Sequence, residues 1–206
     1  MVVALVGVAF LLSSPRLIEV ATRSQRDQIE TLDRIQRLTG PNDPVFDMVG
    51  FYFRPDGHFA YALPGNIFAR YQAGGLAPIP EELRRTGTVA VIFNYRTTWL
   101  GPKDRRFLAG HYVQYDRNVF LLGIALSDLG PGEEKRFEAL VGRRFRYDGD
   151  GRIAVDGKPF EEGFLARGRH TVERIEGDGP ARLILTTPGP VPWPPRPPRR
   201  LFVNFD

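Results

Sequence analysis

One stretch decides the predicted fold: RDQIETLDRIQRLTGPNDPVFDMVGFYF, residues 26–53. Its first half carries apolar residues at every third position with charged residues between them: Ile29, Leu32, Ile35 and Leu38. This spacing is typical of a helix with a broad apolar face. Gly40 and Pro41 supply a C-terminal stop, and the apolar run 45–49 after Pro44 predicts a short buried strand. The stretch is therefore a helix followed by a strand.

The same order of elements recurs between residues 80 and 95. The segment PEELRR, residues 80–85, has proline and acidic residues where a first helical turn favours them. The run 88–95 is rich in β-branched and aromatic residues and contains no charge, which indicates a strand covered on both faces. Two helix–strand units predict an α/β domain over residues 23–126, with a small, mainly parallel sheet and flanking helices.

Shorter segments complete this predicted domain. Residues 66–71 and 102–109 predict two short helices, the first ending before Gly74. The runs 111–116 and 118–126 are separated by a polar turn and predict a hairpin at one edge of the sheet.

The composition changes at residues 127–132, SDLGPG, which predict a linker. Beyond it, short strand-like runs alternate with turn signals, and both Gly149-Asp150-Gly151 and Asp156-Gly157-Lys158 are typical of hairpin turns. The spacing predicts a small all-β, sandwich-like module over residues 133–187. A proline-dense tail, residues 188–206, follows it.

The first twelve residues, MVVALVGVAFLL, are apolar and uncharged. They are shorter than the roughly 20 residues that a helix needs to cross a bilayer. Three interpretations stay open: the last part of a membrane helix, a signal-peptide core, or a helix buried in a folded core. No basic residue precedes the run, which weakens the signal-peptide interpretation. We expect residues 1–22 to be a membrane-helix remnant and its connector.

Composition excludes several classes of function. The chain has a net charge of +4, but its basic residues are interleaved with acidic ones and no nucleic-acid-binding motif accompanies them, so no nucleic-acid partner is expected. The absence of cysteine excludes disulfides, thiolate metal sites and cysteine nucleophiles. The three histidines lie far apart in sequence, and no serine-nucleophile or glycine-rich phosphate motif is present. We therefore expect no catalytic residue, no metal and no cofactor.

One segment, FYFRPDGHFAY at residues 51–61, combines aromatic and cationic side chains around a Pro-Asp-Gly turn. Aromatic residues at this density most often pack in a core. Beside Arg54 and His58, their faces could also line a site for a sugar or a phosphorylated sugar. Arg54, His58 and Tyr61 are the candidate glycan-binding residues, and we expect them to share one accessible surface.

The order of several segments resembles a known family. These segments are TRSQRDQIETLDRIQRLTGPNDPVFDMVGFYFRPDGHFAY, PEELRRTGTVAVIFNYRTTWL and LAGHYVQYDRNVFLLG, which follow an apolar N-terminal run. Together they resemble the soluble C-terminal region of bacterial GT-C type membrane glycosyltransferases. Such enzymes are similar to protein mannosyltransferases and use polyprenyl-phosphate-linked sugars. The resemblance covers about residues 1–125, and RIAVDGKPF with LARGRHTVE is similar to small β domains that follow this region in some such proteins.

The resemblance implies an extracytoplasmic domain of a membrane glycosyltransferase, or an accessory to one. The chain lacks the family's membrane bundle and the acidic residues of its first extracytoplasmic loop, so no residue here inherits their catalytic role. The implied partners are the membrane, a membrane glycosyltransferase bundle, and a glycan or polyprenyl-phosphate sugar. The implied location is the inner membrane, with the soluble part in the periplasm or outside the cell. Arginines after the apolar run favour the opposite, cytoplasmic side.

Two further interpretations remain. The chain could be a stand-alone exported carbohydrate-binding or cell-envelope interaction protein, or a soluble enzyme that acts on nucleotide sugars.

Overall fold

The computed structural model describes residues 26–48, 65–188, 192 and 195–198. The helices in these ranges are α1 (Arg26–Leu38), α2 (Gly65–Gln72), α3 (Ile79–Thr86) and α4 (Pro102–His111), with a 3-10 helix at Tyr95–Trp99. The strands are β1 (Val45–Phe46), β2 (Ala90–Ile92), β3 (Tyr112–Asp116), β4 (Val119–Ala125), β5 (Glu134–Ala139), β6 (Arg143–Gly149), β7 (Arg152–Val155), β8 (Lys158–Phe160), β9 (Glu162–Leu165), β10 (Gly168–Glu176) and β11 (Ala181–Leu185).

The predicted helices are confirmed, because local sequence signals determine their ends. Helix α1 ends where expected, and the backbone N–H of Gly40 donates to Asp43 Oδ2 at 2.7 Å. Its apolar face buries Ile35 and Leu38. Helix α3 carries proline in its first turn and ends at Gly87, whose φ of 64° is the left-handed conformation that glycine adopts at little cost.

The prediction of a small, mainly parallel α/β sheet is wrong. The larger sheet has seven strands in the order β1-β2-β4-β11-β6-β9, with β3 also paired to β4. It is mostly antiparallel, and 28% of the described residues are helical and 36% lie in strands. Strands β1 and β2 do pair in parallel, as two helix–strand units require. The neighbour of β2 on its other side is β4, which runs antiparallel to β2 and also pairs antiparallel with β3.

The all-β part is not a separate sandwich either. Strands β5, β10, β7 and β8 form an antiparallel four-stranded sheet. Strands β6, β9 and β11 instead join the seven-stranded sheet, where β11 pairs with β4. The seven-stranded sheet therefore takes strands from both sides of the turn-rich stretch 127–132. Buried side chains from both halves of the chain form one hydrophobic cluster.

The predicted turns have different outcomes. Residues Asp156 and Gly157, with φ of 52° and 74°, join β7 to β8 as the predicted hairpin. The hairpin of β3 and β4 is also confirmed. Gly149-Asp150-Gly151 is not a hairpin turn, because β6 and β7 lie in different sheets. Gly151 is needed there: a Cβ on it would lie 2.1 Å from the carbonyl oxygen of Glu176.

Within the described ranges, no helix is long and apolar enough to cross a bilayer. The predicted membrane-helix remnant, residues 1–22, lies outside those ranges.

Candidate functional site

A 3-10 helix of five residues, YRTTW, positions the site. The sequence run 88–95 predicts a strand that continues to Tyr95, but β2 ends at Ile92. The reason is a capping box at Asn94. The side-chain oxygen of Asn94 accepts from the backbone N–H of Arg96 at 2.9 Å, while the N–H of Asn94 donates to Thr97 Oγ1 at 2.9 Å. These bonds stop the strand and start the helix.

The two ends of this helix support a group of rings that we name the aromatic cluster: Phe68, Tyr71, Tyr95 and Trp99. The Trp99 ring centroid lies 5.6 Å from that of Tyr95, edge to face, and 5.7 Å from that of Phe68. Such separations are those of favourable aromatic pairs. Trp99 is 39% exposed. Trp99 therefore presents an aromatic ring to solvent, and its contacts with the partly buried rings of Tyr95 and Phe68 hold it in place.

Arg96 places a positive charge at this cluster. Its guanidinium carbon lies 5.5 Å from the Tyr95 ring centroid and 5.7 Å from that of Trp99. Its Nε donates to the Tyr95 hydroxyl at 3.0 Å, and its Nη1 donates to the carbonyl of Met48 at 2.9 Å. Cation–π contact and two hydrogen bonds fix the guanidinium beside the rings.

The cluster is also tied to helix α4. The Tyr71 hydroxyl donates to Asp104 Oδ2 at 2.7 Å. Asp104 is buried and lies in the first turn of α4, where the helix dipole stabilises a carboxylate. Because its Oδ2 binds Tyr71, Asp104 joins α2 to α4.

An apolar pocket of about 320 Å³ adjoins the same helix. Its lining is Phe93, Thr97, Thr98, Arg105, Leu108, Ala109, Tyr112 and Phe120. The rings of Phe93 and Phe120 lie 4.1 Å apart. Among the described residues that line the pocket, Arg105 alone is charged, and its side chain is exposed.

The hydroxyl groups of this lining already have partners in the protein. Thr98 Oγ1 donates to the carbonyl of Tyr95 at 2.6 Å, and the Tyr112 hydroxyl donates to the carbonyl of Thr88 at 3.1 Å. Burial raises the pKa of the Tyr112 hydroxyl, so it stays protonated. The pocket therefore offers a ligand an apolar wall and one cation.

The predicted glycan-binding residues Arg54, His58 and Tyr61 lie outside the described residues, and their shared surface stays a prediction. The described chain stops at Met48, whose carbonyl accepts from Arg96, and resumes in α2, which carries Phe68. One flank of the segment 49–64 thus contacts Arg96 beside the aromatic cluster, and the other carries Phe68 of the cluster.

Sequence reasoning missed Arg96 and Trp99. The signal that could have found them is NYRTTW, where an N-cap residue follows a strand and a cation lies between two aromatic rings.

No group of three or more metal-ligating side chains occurs within the described part of the chain. Two of the three histidines are described, and each has a carboxylate partner. His111 Nε2 lies 3.2 Å from Glu138 Oε2, and His170 Nδ1 lies 2.7 Å from Asp156 Oδ2. Comparison with protein-family models, with curated proteins and with solved structures finds no match to this chain.

Proposed function

We propose that the chain binds a lipid-linked sugar, as the extracytoplasmic domain of a membrane glycosyltransferase or as an accessory to one. One observation carries the proposal: a single 3-10 helix contributes Thr97 and Thr98 to an apolar pocket, and Tyr95 and the exposed Trp99 to the aromatic cluster. A lipid-linked sugar has an apolar chain, a phosphate and a sugar ring. The site offers a partner for each of these parts.

The apolar pocket suits the lipid end of such a ligand. Its volume of about 320 Å³ lies within the range of small-molecule sites, and mostly apolar walls with few polar groups are typical of them. A guanidinium at the pocket fits a phosphate, because arginine donates to phosphate oxygens in bidentate fashion. Arg105 is the residue that would make this contact.

The aromatic cluster suits the sugar end. Trp99 gives an apolar ring surface, and Arg96 places a positive charge beside it. This chain binds rather than reacts in the proposal, because the resemblance assigns catalysis to a membrane bundle. Asp104, the buried carboxylate nearest to the cluster in the chain, uses Oδ2 to bind Tyr71.

A stand-alone exported carbohydrate-binding protein is the second candidate. The exposure of Trp99 favours it, because an open aromatic surface can bind a sugar without any lipid. The two candidates differ at Arg105: the first needs its charge for the phosphate, and the second does not.

Calorimetric titration of the full chain tests both. The ligands are a short-chain isoprenyl phosphate mannose, the isoprenyl phosphate alone, and free mannose. We expect the complete ligand to bind tightest, and Arg105→Ala to weaken both phosphate-bearing ligands about tenfold, the loss of one charge-assisted hydrogen bond. Trp99→Ala should weaken both mannose-bearing ligands.

Phe164→Ala is the matched control, since Phe164 is another exposed ring, 67% accessible, on the distant strand β9. It should leave all three affinities unchanged. Equal binding of mannose and of the lipid-linked ligand, both insensitive to Arg105→Ala, would support the second candidate. Lack of binding of all three ligands would overturn both.

A further inference from the structure

A second cavity, of about 420 Å³, lies where the end of α1, the start of β6 and the end of β11 meet. Its lining is Arg37, Leu38, Thr39, Gly40, Asp43, Arg143, Arg144, Leu185, Thr186 and Pro188. None of these residues lines the apolar pocket or belongs to the aromatic cluster. We name this cavity the arginine cleft, because three guanidinium groups and one carboxylate are the charged groups of its described lining.

Asp43 is committed to the protein on both of its oxygens. Oδ1 accepts from Arg143 Nη2, and Oδ2 accepts from the backbone N–H of Gly40 at 2.7 Å. The Asp43 side chain is only 11% exposed, whereas that of Arg143 is 48% exposed. Asp43 therefore holds Arg143 in a fixed orientation and leaves much of its guanidinium facing solvent.

The other two arginines have weaker partners. Arg37 pairs with Asp33, and Arg144 Nε donates to Glu162 at 3.3 Å. All four side chains are at least 42% exposed. Exposed pairs of this kind contribute little to stability, so both arginines can exchange these partners at low cost. A bidentate contact to an oxyanion is stronger than either.

A hydroxyl group adds to this donor set. Thr186 Oγ1 is buried and has no hydrogen-bond partner in the described part of the chain. Thr186 lines the cleft, and its backbone N–H donates to the carbonyl of Arg144 at 2.9 Å. A hydroxyl group beside guanidinium groups is a further donor for a ligand oxygen.

We propose that the arginine cleft binds an oxyanion, either a phosphate monoester or a carboxylate, carried on a small polar molecule such as an acidic sugar. Arg143 is the fixed anchor, and Arg37 and Arg144 turn from their surface partners onto the bound anion. The site is independent of the one that the 3-10 helix builds, so it gives the chain a second ligand class.

Calorimetric titration of the full chain at low salt tests the proposal. Inorganic phosphate, glucose 6-phosphate, glucuronate and glucose are the four ligands. We expect one or more of the anions to bind and glucose not to bind, with the affinity falling as salt rises. Preference for glucose 6-phosphate identifies a phosphate ester as the ligand class, and preference for glucuronate identifies a carboxylate.

Three variants locate the binding. Arg144→Ala should weaken anion binding about tenfold, as expected for a lost charge-assisted contact. Arg169→Ala removes an exposed arginine of β10 outside the cleft and should change nothing. Glu162→Gln removes the anion that competes for Arg144 and should tighten binding about twofold to fivefold, the effect of an exposed ion pair.

Each variant is exposed at its changed side chain, and its thermal midpoint verifies the fold. Equal losses from Arg144→Ala and Arg169→Ala would show diffuse attraction to a basic surface and would overturn the site. Failure of all three anions to bind would also overturn it, whatever the lipid-linked sugar does at the 3-10 helix.

Discussion

Two regions of the molecule bury charge in opposite ways. Arg174 of β10 is fully buried, and its guanidinium donates to three backbone carbonyls of the described residues. Nη1 donates to Leu129 at 3.1 Å and to Leu126 at 3.3 Å, and Nη2 donates to Gly179 at 2.8 Å. Asp116 of β3 is 1% exposed and instead lies among guanidinium groups. One region is a cation held by dipoles, and the other is an anion held by cations.

The Asp116 region joins α1 and the C-terminal tail to the β3–β4 hairpin. Arg34 Nη1 lies 2.9 Å from Asp116 Oδ2, and Arg196 Nε donates to Oδ1 at 3.0 Å. The Arg34 contact is an ion pair without hydrogen-bond alignment. Burial alone would raise the pKa of Asp116, but the hydrogen bond from Arg196 and the charge of Arg34 outweigh it, so the pKa is lowered.

The contrast separates two kinds of cross-link. Arg174 ties the stretch 126–129 and Gly179 to β10 through hydrogen bonds to uncharged carbonyl groups. Its Nε has no partner among the described residues, which makes it a costly link that good geometry elsewhere must offset. The Asp116 link depends on ionised groups, so acid can weaken it.

Replacement of Arg174 should have the largest effect. Arg174→Ala removes the guanidinium donor from the carbonyls of Leu129 and Gly179, leaves the Leu126 carbonyl with only the Leu129 N–H, and creates a cavity, so we expect the unfolding free energy to fall by about 4 kcal/mol. Arg174→Met restores apolar volume but not the donors, and should cost about 2 kcal/mol. Urea unfolding measures both. Arg169→Ala, on the same strand but exposed, should change stability by less than about 0.5 kcal/mol. An Arg174→Met variant as stable as the original chain would show that the carbonyls need no donor.

Replacement of Asp116 should lower the free energy of unfolding by a smaller amount, and this loss should depend on pH. Asp116→Asn leaves Arg34, 16% exposed, without its anion and should cost about 2–3 kcal/mol at pH 7. Arg196→Ala removes a half-exposed partner and should cost about 1 kcal/mol.

The sign follows from the lowered pKa. The Asp116 contribution is present above the unfolded pKa of about 3.9 and is lost as pH falls through the lower folded value. A loss on Asp116→Asn that stays constant between pH 7 and pH 2 would contradict the ionic account.

Local elements of this fold could be predicted from sequence, and long-range pairing could not. The ends of α1 and α3 follow from Gly40 and Gly87, which act within one turn of the chain. The pairing of β11 with β4 has no local signal, because alternating strands in both halves suit several neighbours. Two helix–strand units predict the parallel pair of β1 and β2 correctly, but they do not show that the rest of the sheet is mostly antiparallel.

In the candidate site too, locally determined features can be predicted from the sequence and long-range contacts cannot. Asn94 is a recognisable N-cap residue three positions before Thr97, so the start of the 3-10 helix can be predicted from the sequence. The meeting of Phe68 with Trp99 depends on how α2 packs, and no spacing in the sequence encodes it. Strand alternation places Arg174 on the same face as the buried Val172, opposite the exposed Arg169, but no local signal shows that loop carbonyls bind its guanidinium.

His170 contacts both a backbone carbonyl and a carboxylate, and its replacement should have the smallest effect on stability. Its Nε2 faces the carbonyl of Ala166 at 2.8 Å, and its Nδ1 faces Asp156 Oδ2 at 2.7 Å. Both partners only accept, so both ring nitrogens must carry a proton. Burial lowers the pKa of His170, but the Ala166 carbonyl and the Asp156 carboxylate outweigh it and raise the pKa overall.

We name the contacts of His170 with Asp156 and with the Ala166 carbonyl the clasp. Because the pKa of His170 is raised, the clasp stabilises the fold in mild acid. Its contribution is full below the unfolded histidine pKa of about 6.5 and is lost as pH rises through the higher folded value. Asp156 must also be ionised. Burial raises the pKa of Asp156, but its hydrogen bonds with His170 and with the Thr171 N–H outweigh burial, so the pKa is lowered. The clasp therefore works best between about pH 4 and pH 6.5. His170→Gln should cost about 1 kcal/mol at pH 5.5 and less at pH 9, measured by urea unfolding. The other two partners of Asp156 are unchanged in this variant: the N–H of Thr171, which donates to Asp156 Oδ1 at 2.9 Å, and the charge of Lys158. An equal loss of stability at both pH values would therefore assign the effect to packing alone.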